Sequence, residues 1–111
     1  MTFEEAFQMV RTFREERDWD QFHNSKDLAI SISLEAAELL EIFQWSGADL
    51  EATTEIQHLR EELADVMIYC LHLADHLGVN PAELIANKMR KNAEKYPVDK
   101  SRGSAAKYTE L

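Results

Sequence analysis

The chain has little of what breaks or staples a fold: its 111 residues include only two Pro, three Gly and one Cys. Breakers this few, nearly all where a helix should start or stop, are the punctuation of helices rather than of strands and tight turns. Cys70 has no partner for an intrachain disulfide, which fits a reducing compartment. Set inside an apolar run, it reads as a buried, inert thiol. Positive charge is scarce as well. Twelve Lys and Arg stand against 21 Asp and Glu, a net charge of −9, which argues against nucleic acid or an anionic membrane as the main partner. No basic-then-apolar leader opens the sequence. The longest apolar stretch, Val66 to Ala74, is interrupted by His72 and too short to cross a bilayer. The expectation is a cytoplasmic protein in which any anionic ligand is met by metal ions or by a few clustered cations.

What the sequence does have is helical period. Thr2 and Glu5 have capping-box spacing, and Phe3, Phe7, Val10 and Phe13 recur at helical intervals toward Arg17. Trp19 to Ser25 is short, polar and aromatic and reads as a loop. A second helix is expected from about Lys26 to Trp45. Leu28, Ile30, Ile32 and Leu34 alternate as a strand would, but the run continues without a breaker through Glu35 to Glu41, which favours helix throughout. Gly47 is expected to end it. Thr54 and Gln57 offer a second capping box for a third helix, from about Glu55 to Leu77, stopped by Gly78. Asn80, Pro81 and Glu83 mark a fourth start, and that helix should end near Tyr96, before Pro97. Residues 97–111 read as an irregular tail. The whole is one all-α domain, residues 1–111, a helical bundle of about four helices. A chain of this length buries roughly two thirds of its unfolded surface. Its helical segments carry apolar residues on more than one face, so a homo-oligomer is expected.

The chemistry lies in the acidic residues. At about 100° per residue, Leu28, Ile32, Leu39 and Ile42 form one stripe of the second helix. Glu35 falls inside that stripe, with Glu38 one turn on at its edge. On the third helix, Leu59, Leu63, Val66, Cys70, Leu73 and Leu77 make the main apolar face, and Glu62, Asp65 and Tyr69 run beside it. Solvated helix faces also produce such i, i+3 acidic pairs, but a carboxylate within an apolar stripe points to a site. Carboxylates gathered there would repel strongly without a cation. Oxygen ligands with no Cys pair or suitably placed His select a hard ion, magnesium or manganese. A di-iron bundle needs two Glu-x-x-His units, and only Glu55 to His58 supplies one.

Trp19, Phe22, His23, Trp45 and Tyr69 lie at helix ends, in the loop or on the carboxylate strip, from where flat rings could wall a nucleobase pocket. Burial in the core or at a subunit interface is the equally ordinary reading of both Trp. Lys88, Lys91, Asn92 and Lys95 share one face of the fourth helix and could balance phosphate charge. Lysines near a helix C-terminus also need no ligand to explain them.

Five strings in order, Trp19 to His23 (WDQFH), Glu35 to Trp45 (EAAELLEIFQW), Glu62 to Tyr69 (ELADVMIY), Lys95 to Val98 (KYPV) and Ser101 to Thr109 (SRGSAAKYT), resemble the MazG-like all-alpha nucleoside triphosphate pyrophosphohydrolases, and most closely their dCTP pyrophosphatases. The resemblance covers nearly the whole chain. It implies hydrolysis of a deoxynucleoside triphosphate, dCTP or a modified dCTP, to the monophosphate and pyrophosphate. Magnesium, or manganese in its place, would be held by Glu35, Glu38, Glu62 and Asp65. It maps a base pocket onto Trp19, Asp20, Gln21, Phe22, His23, Trp45 and Tyr69. Phosphate contacts would come from Lys88, Lys91, Asn92, Lys95 and Arg102, with Lys107 assisting, and the assembly would be a homodimer or homotetramer. Glu38 or Glu41 would orient the attacking water. A first-helix position that can hold a substrate-contacting histidine in the family is Val10 here. Related chemistry on dUTP, on several triphosphates or on a phosphoribosyl nucleotide stays open, as does a helical interaction module that uses the acidic strips for docking.

Overall fold

A computed structural model describes all of residues 1–111. The chain is all-α, with four long helices, a single-turn helix and two 3-10 turns. It divides into two compact units, Met1–Gly78 and Val79–Leu111.

In the first unit, α1 spans Phe3–Glu16 and opens on the expected capping box: Thr2 Oγ1 accepts from Glu5 N–H at 3.1 Å, and Glu5 Oε2 accepts from Thr2 N–H at 3.0 Å. The segment read as a loop contains a 3-10 turn, Trp19–Phe22, entered through Asp18 at φ +53°. α2 spans Ser25–Glu41, capped by Asn24, whose Oδ1 accepts from Asp27 N–H at 2.8 Å. It stops four residues short of Trp45, and the chain continues through turns to Gly47, which lies beyond the helix rather than at its end.

α3 spans Ile56–His76. The Thr54–Gln57 capping box does not form. Asp49 instead organises the connection, its carboxylate accepting from Glu51 N–H, Thr53 N–H and the Thr53 hydroxyl at 2.9–3.0 Å. Glu55 is left as an N-cap without a side-chain cap bond. Those three bonds hold the Asp49 carboxyl below its usual range. Gly78, at φ +69°, ends α3 in the left-handed conformation that glycine adopts without Cβ strain.

α2 against α3 is the principal packing; α1 meets α3 more briefly and carries the 3-10 turn. Few side chains are fully withdrawn from solvent. Phe7 and Leu28 are 1% and 2% exposed and Ala52 and Ala74 join them, whereas Leu34, Leu40, Leu63, Met67 and Leu77 all stay exposed. Cys70 is exposed too, a correction to the buried thiol expected above. The apolar stripe read along α3 is therefore half open on the single chain: Leu63, Cys70 and Leu77 are exposed, whereas Leu59, Val66 and Leu73 are partly covered.

In the second unit, α4 spans Pro81–Lys95 with the expected start: Asn80 Oδ1 accepts from Ala82 and Glu83 N–H, and Pro81 takes the first position. The tail is less irregular than expected. It forms α5, Val98–Ser101, and a 3-10 turn, Tyr108–Glu110, with Tyr108 edge-on to Tyr96. No helix is long and apolar enough to cross a membrane.

Candidate functional site

Packing α2 on α3 sets the two acidic strips opposite each other. One carboxylate oxygen from each of Glu35, Glu62 and Asp65 lies within 4.8 Å of the others. Glu35 Oε2 and Glu62 Oε2 are buried and have no hydrogen-bond partner. Burial, first of all, pushes the Glu35 carboxyl up from 4.5 to about 6. A hydrogen bond with Glu38 and the charges of Glu38, Asp65 and Glu62 add to the shift. Glu62 is raised likewise, by burial and then by Glu38. Glu38, exposed and outside that group of three, comes close to Glu35 and Glu62.

Two partnerless buried oxygens facing a third carboxylate form a strongly negative point, and such a point is corrected by a proton or a cation. The donors are all oxygen and come from two packed helices, so the set fits a hard divalent ion.

Sequence reasoning missed the residue that braces this set. His58 Nε2 lies 3.3 Å from Glu62 Oε1, and its Nδ1 lies 3.0 Å from Glu55 Oε2. The hydrogen bond to Glu55 is the main reason the His58 pKa is raised. The Glu55-x-x-His58-x-x-x-Glu62 spacing carried the signal, because all three fall on one helix face.

The expected aromatic residues divide into two groups. Trp19, Phe22, His23 and Tyr69 line a cavity of about 290 Å³ with Asp27, Leu28 and Ser31. Trp19 and Tyr69 also line a second cavity of about 350 Å³, with Met9, Val10, Phe13, Ile68, His72 and, toward the acidic set, Asp65. Trp45 is not among them. It is 88% exposed and lines a separate cavity of about 730 Å³ with Glu41, Gln44, Ser46, Asp49, Glu55 and His58. The early end of α2 accounts for this separation, since the turns after Glu41 carry Trp45 off the helix axis.

Asp20 and Gln21 are turned to their own neighbours. Asp20 Oδ1 is 2.7 Å from Arg14 Nε. Gln21 Nε2 donates to the Asp18 carbonyl and carboxylate at 3.0 and 3.2 Å.

Arg14 sits at the centre of a buried ion network that sequence reading also missed. It pairs with Asp75 and Asp20 and reaches His72 Nδ1 at 3.3 Å, while Arg11 Nε donates to Asp75 at 3.0 Å. Burial alone would raise the Asp75 carboxyl, but the hydrogen bonds and charges of Arg14 and Arg11 win and hold it below its usual range. His72 stands edge-on to His23 and Tyr69, with ring centroids 4.9 and 5.7 Å away. Burial and the neighbouring Arg14 charge also lower His23.

In the second unit, Lys88, Lys91 and Lys95 are exposed on α4, as is Arg102 after α5. Asn92 is half-buried, its amide donating to Met89 Sδ at 3.8 Å. The Lys95 ammonium lies 4.7 Å over the Tyr108 ring.

Comparison with known proteins identifies the family. The MazG-like family model matches residues 30–111. The mouse protein dCTP pyrophosphatase 1 is 40% identical over 115 residues, covering 99% of this chain and 68% of the mouse protein. The human protein of the same name is 37% identical over the same coverage. Among solved structures, a pyrophosphatase from Archaeoglobus fulgidus superposes with a TM-score of 0.78 at 47% identity, covering 85% of this chain and 91% of that one. On sequence and fold together, this chain belongs to the MazG-like family.

Proposed function

We propose that this MazG-like nucleoside triphosphate pyrophosphohydrolase acts on dCTP or a modified dCTP, releasing the monophosphate and pyrophosphate in a magnesium-dependent reaction. The observation that carries the reading is the carboxylate set with partnerless buried oxygens next to a cavity walled by Trp19 and Tyr69. The dCTP pyrophosphatase relatives support the choice of nucleotide.

Glu35, Glu38, Glu62 and Asp65 are the proposed magnesium ligands. When bound, the ion supplies charge neutralisation and Lewis acidity toward phosphate oxygens. Glu38 is proposed to orient the attacking water and take its proton. Its place beside Glu35 and Glu62 supports it over Glu41, which lines the cavity of Trp45 instead. His58 holds Glu62 through Oε1, leaving the partnerless Oε2 for the set. Trp19 and Tyr69 hold the base by stacking and exclude water from one flank of the phosphates. Lys88, Lys91, Asn92, Lys95 and Arg102 are proposed as donors to the phosphate oxygens. We further propose a cytoplasmic homodimer or homotetramer, supported by the exposed Leu34, Leu40, Leu63 and Met67.

The direct test is to incubate the protein and magnesium with each common deoxynucleoside triphosphate and separate the products. Monophosphate and pyrophosphate from dCTP are expected. Diphosphate and phosphate, or no preference for cytosine, would sink the reading. Trp45→Ala gives a finer check. Because Trp45 lines a cavity separate from that of Trp19 and Tyr69, discrimination among nucleotides should stay close to the parent's, and a clear loss of discrimination would return Trp45 to the base site.

A thermal measurement tests the metal independently of turnover. Magnesium should raise the melting temperature near neutral pH by binding only the folded chain, and the gain should fade as pH drops through about 6, where Glu35 takes up a proton. Without metal the sign reverses. The folded Glu35 pKa of about 6 lies above its ordinary 4.5. Its contribution to stability is therefore full below about 4.5 and is lost as pH rises through about 6. A magnesium shift that grows on acidification would contradict the assignment.

A further inference from the structure

We propose that His72 reads the base: it donates its Nε2–H into the cavity it shares with Trp19 and Tyr69, to the N3 and O2 edge of cytosine, and Arg14 is the positioning residue that keeps the proton on Nε2. This deepens the proposed function and rests on reading that cavity as the base site.

The geometry fixes the tautomer. Arg14 Nη1 lies 3.3 Å from His72 Nδ1. A guanidinium carries only donors, so Nδ1 must be the acceptor and the proton of a neutral ring must sit on Nε2. The ring stays neutral near pH 7, since burial above all, followed by the charges of His23 and Arg14, brings it down to about 4. Arg14 is itself held by Asp75 and Asp20, which leaves it little freedom to turn away.

The remaining donor has no partner within the chain. His72 is 6% exposed, and no backbone or side-chain acceptor takes its Nε2–H. Nε2 itself is not among the fully buried atoms left without a partner, so it is open to water in the free chain and to a ligand that replaces that water. The ring lines the cavity of about 350 Å³ on which Asp65 borders. Across from it, Met9, Val10 and Phe13 of α1 bring no hydrogen-bonding group to the same space.

Pyrimidine chemistry supplies the selection. Cytosine presents unprotonated N3 next to O2, two acceptors on one edge, whereas uracil and thymine carry N3–H. A donor that cannot change tautomer accepts the first arrangement and meets N3–H head-on in the second. The signal in the sequence was the i, i+3 step from Tyr69 to His72, which sets both rings on one face of α3.

Nitrogen-15 NMR of the full chain, titrated with the product dCMP and in parallel with dUMP, tests this without turnover. Expected are a neutral His72 with Nε2–H in the free protein, and a shift of that proton and nitrogen with dCMP alongside the Trp19 indole. The shift should be weaker with dUMP. Kinetics supply the second arm. His72→Leu should raise KM for dCTP by about tenfold or more and erase the preference over dUTP. Its kcat, and inhibition by inorganic tripolyphosphate, should stay close to the parent values. His72→Gln, which can still accept from Arg14 and donate outward, should restore most of the loss. A proton found on Nδ1, or a dCMP response at Trp19 without one at His72, overturns the proposal while the base cavity stands. If neither Trp19 nor His72 responds, the base cavity and the proposal fall together.

Discussion

Asp65→Asn should lower turnover of the triphosphate by about 10²–10³-fold with little change in melting temperature. Its oxygen is one of three within 4.8 Å, and the substitution keeps the side chain's size while removing the charge that a divalent ion needs. Glu38→Gln should act as strongly, by weakening the set and removing the proposed proton acceptor. Steady-state rates at saturating magnesium, with pyrophosphate release as readout, decide it. Near-parental rates in either variant would refute the metal assignment. Removing charge should also relieve repulsion among the raised carboxyls Glu35 and Glu62. Without metal, then, the variants should be no less stable than the parent, the opposite of what a structural role predicts.

The second large effect is on stability. Arg14→Met should destabilise the fold by about 3–5 kcal/mol, the range for stripping one partner from a buried ion pair. In a unit this small, each kcal/mol moves the melting temperature by roughly 4–8 °C. Methionine fills a similar volume, so the loss comes chiefly from unpaired polar groups: Asp75 would keep only Arg11, and His72 Nδ1 would lose its donor. Asp20→Asn touches the same guanidinium from a side chain 60% exposed, and should cost under about 1 kcal/mol. Urea denaturation of both variants separates the cases. Equal and small losses would mean that solvent screens Arg14 far better than its burial implies.

The helices were legible because their signals are local. Thr2 with Glu5, Asn80 with Pro81, and Gly78 each act on backbone groups within a turn, and each performed as read. Thr54 with Gln57 forms no capping box: Glu55 takes the N-cap position, and Asp49 holds the turn just before it through Glu51 and Thr53, an arrangement that spacing alone does not reveal. The carboxylate set was foreshadowed by Glu35, whose place within an apolar stripe has no bland explanation. Arg14 gave no such hint. It looks like any charge near a helix end, and only the approach of α3 brings Asp75 and His72 to it. The separation of Trp45 from the cavities flanking Trp19 and Tyr69 likewise depends on where α2 stops, and boundaries are the least determined part of a helical pattern.

The contrasting settings of the two tryptophans give the chain a built-in optical reporter. Trp19 lies edge-on against Phe13, partly covered, while Trp45 stands almost wholly in water. Emission from Trp45 therefore lies to the red and is open to collisional quenching. With a net charge of −9, a neutral quencher such as acrylamide reaches it more readily than iodide does. Any second copy or ligand that covers the turn after α2 announces itself as a blue shift and a loss of quenching, with no label attached.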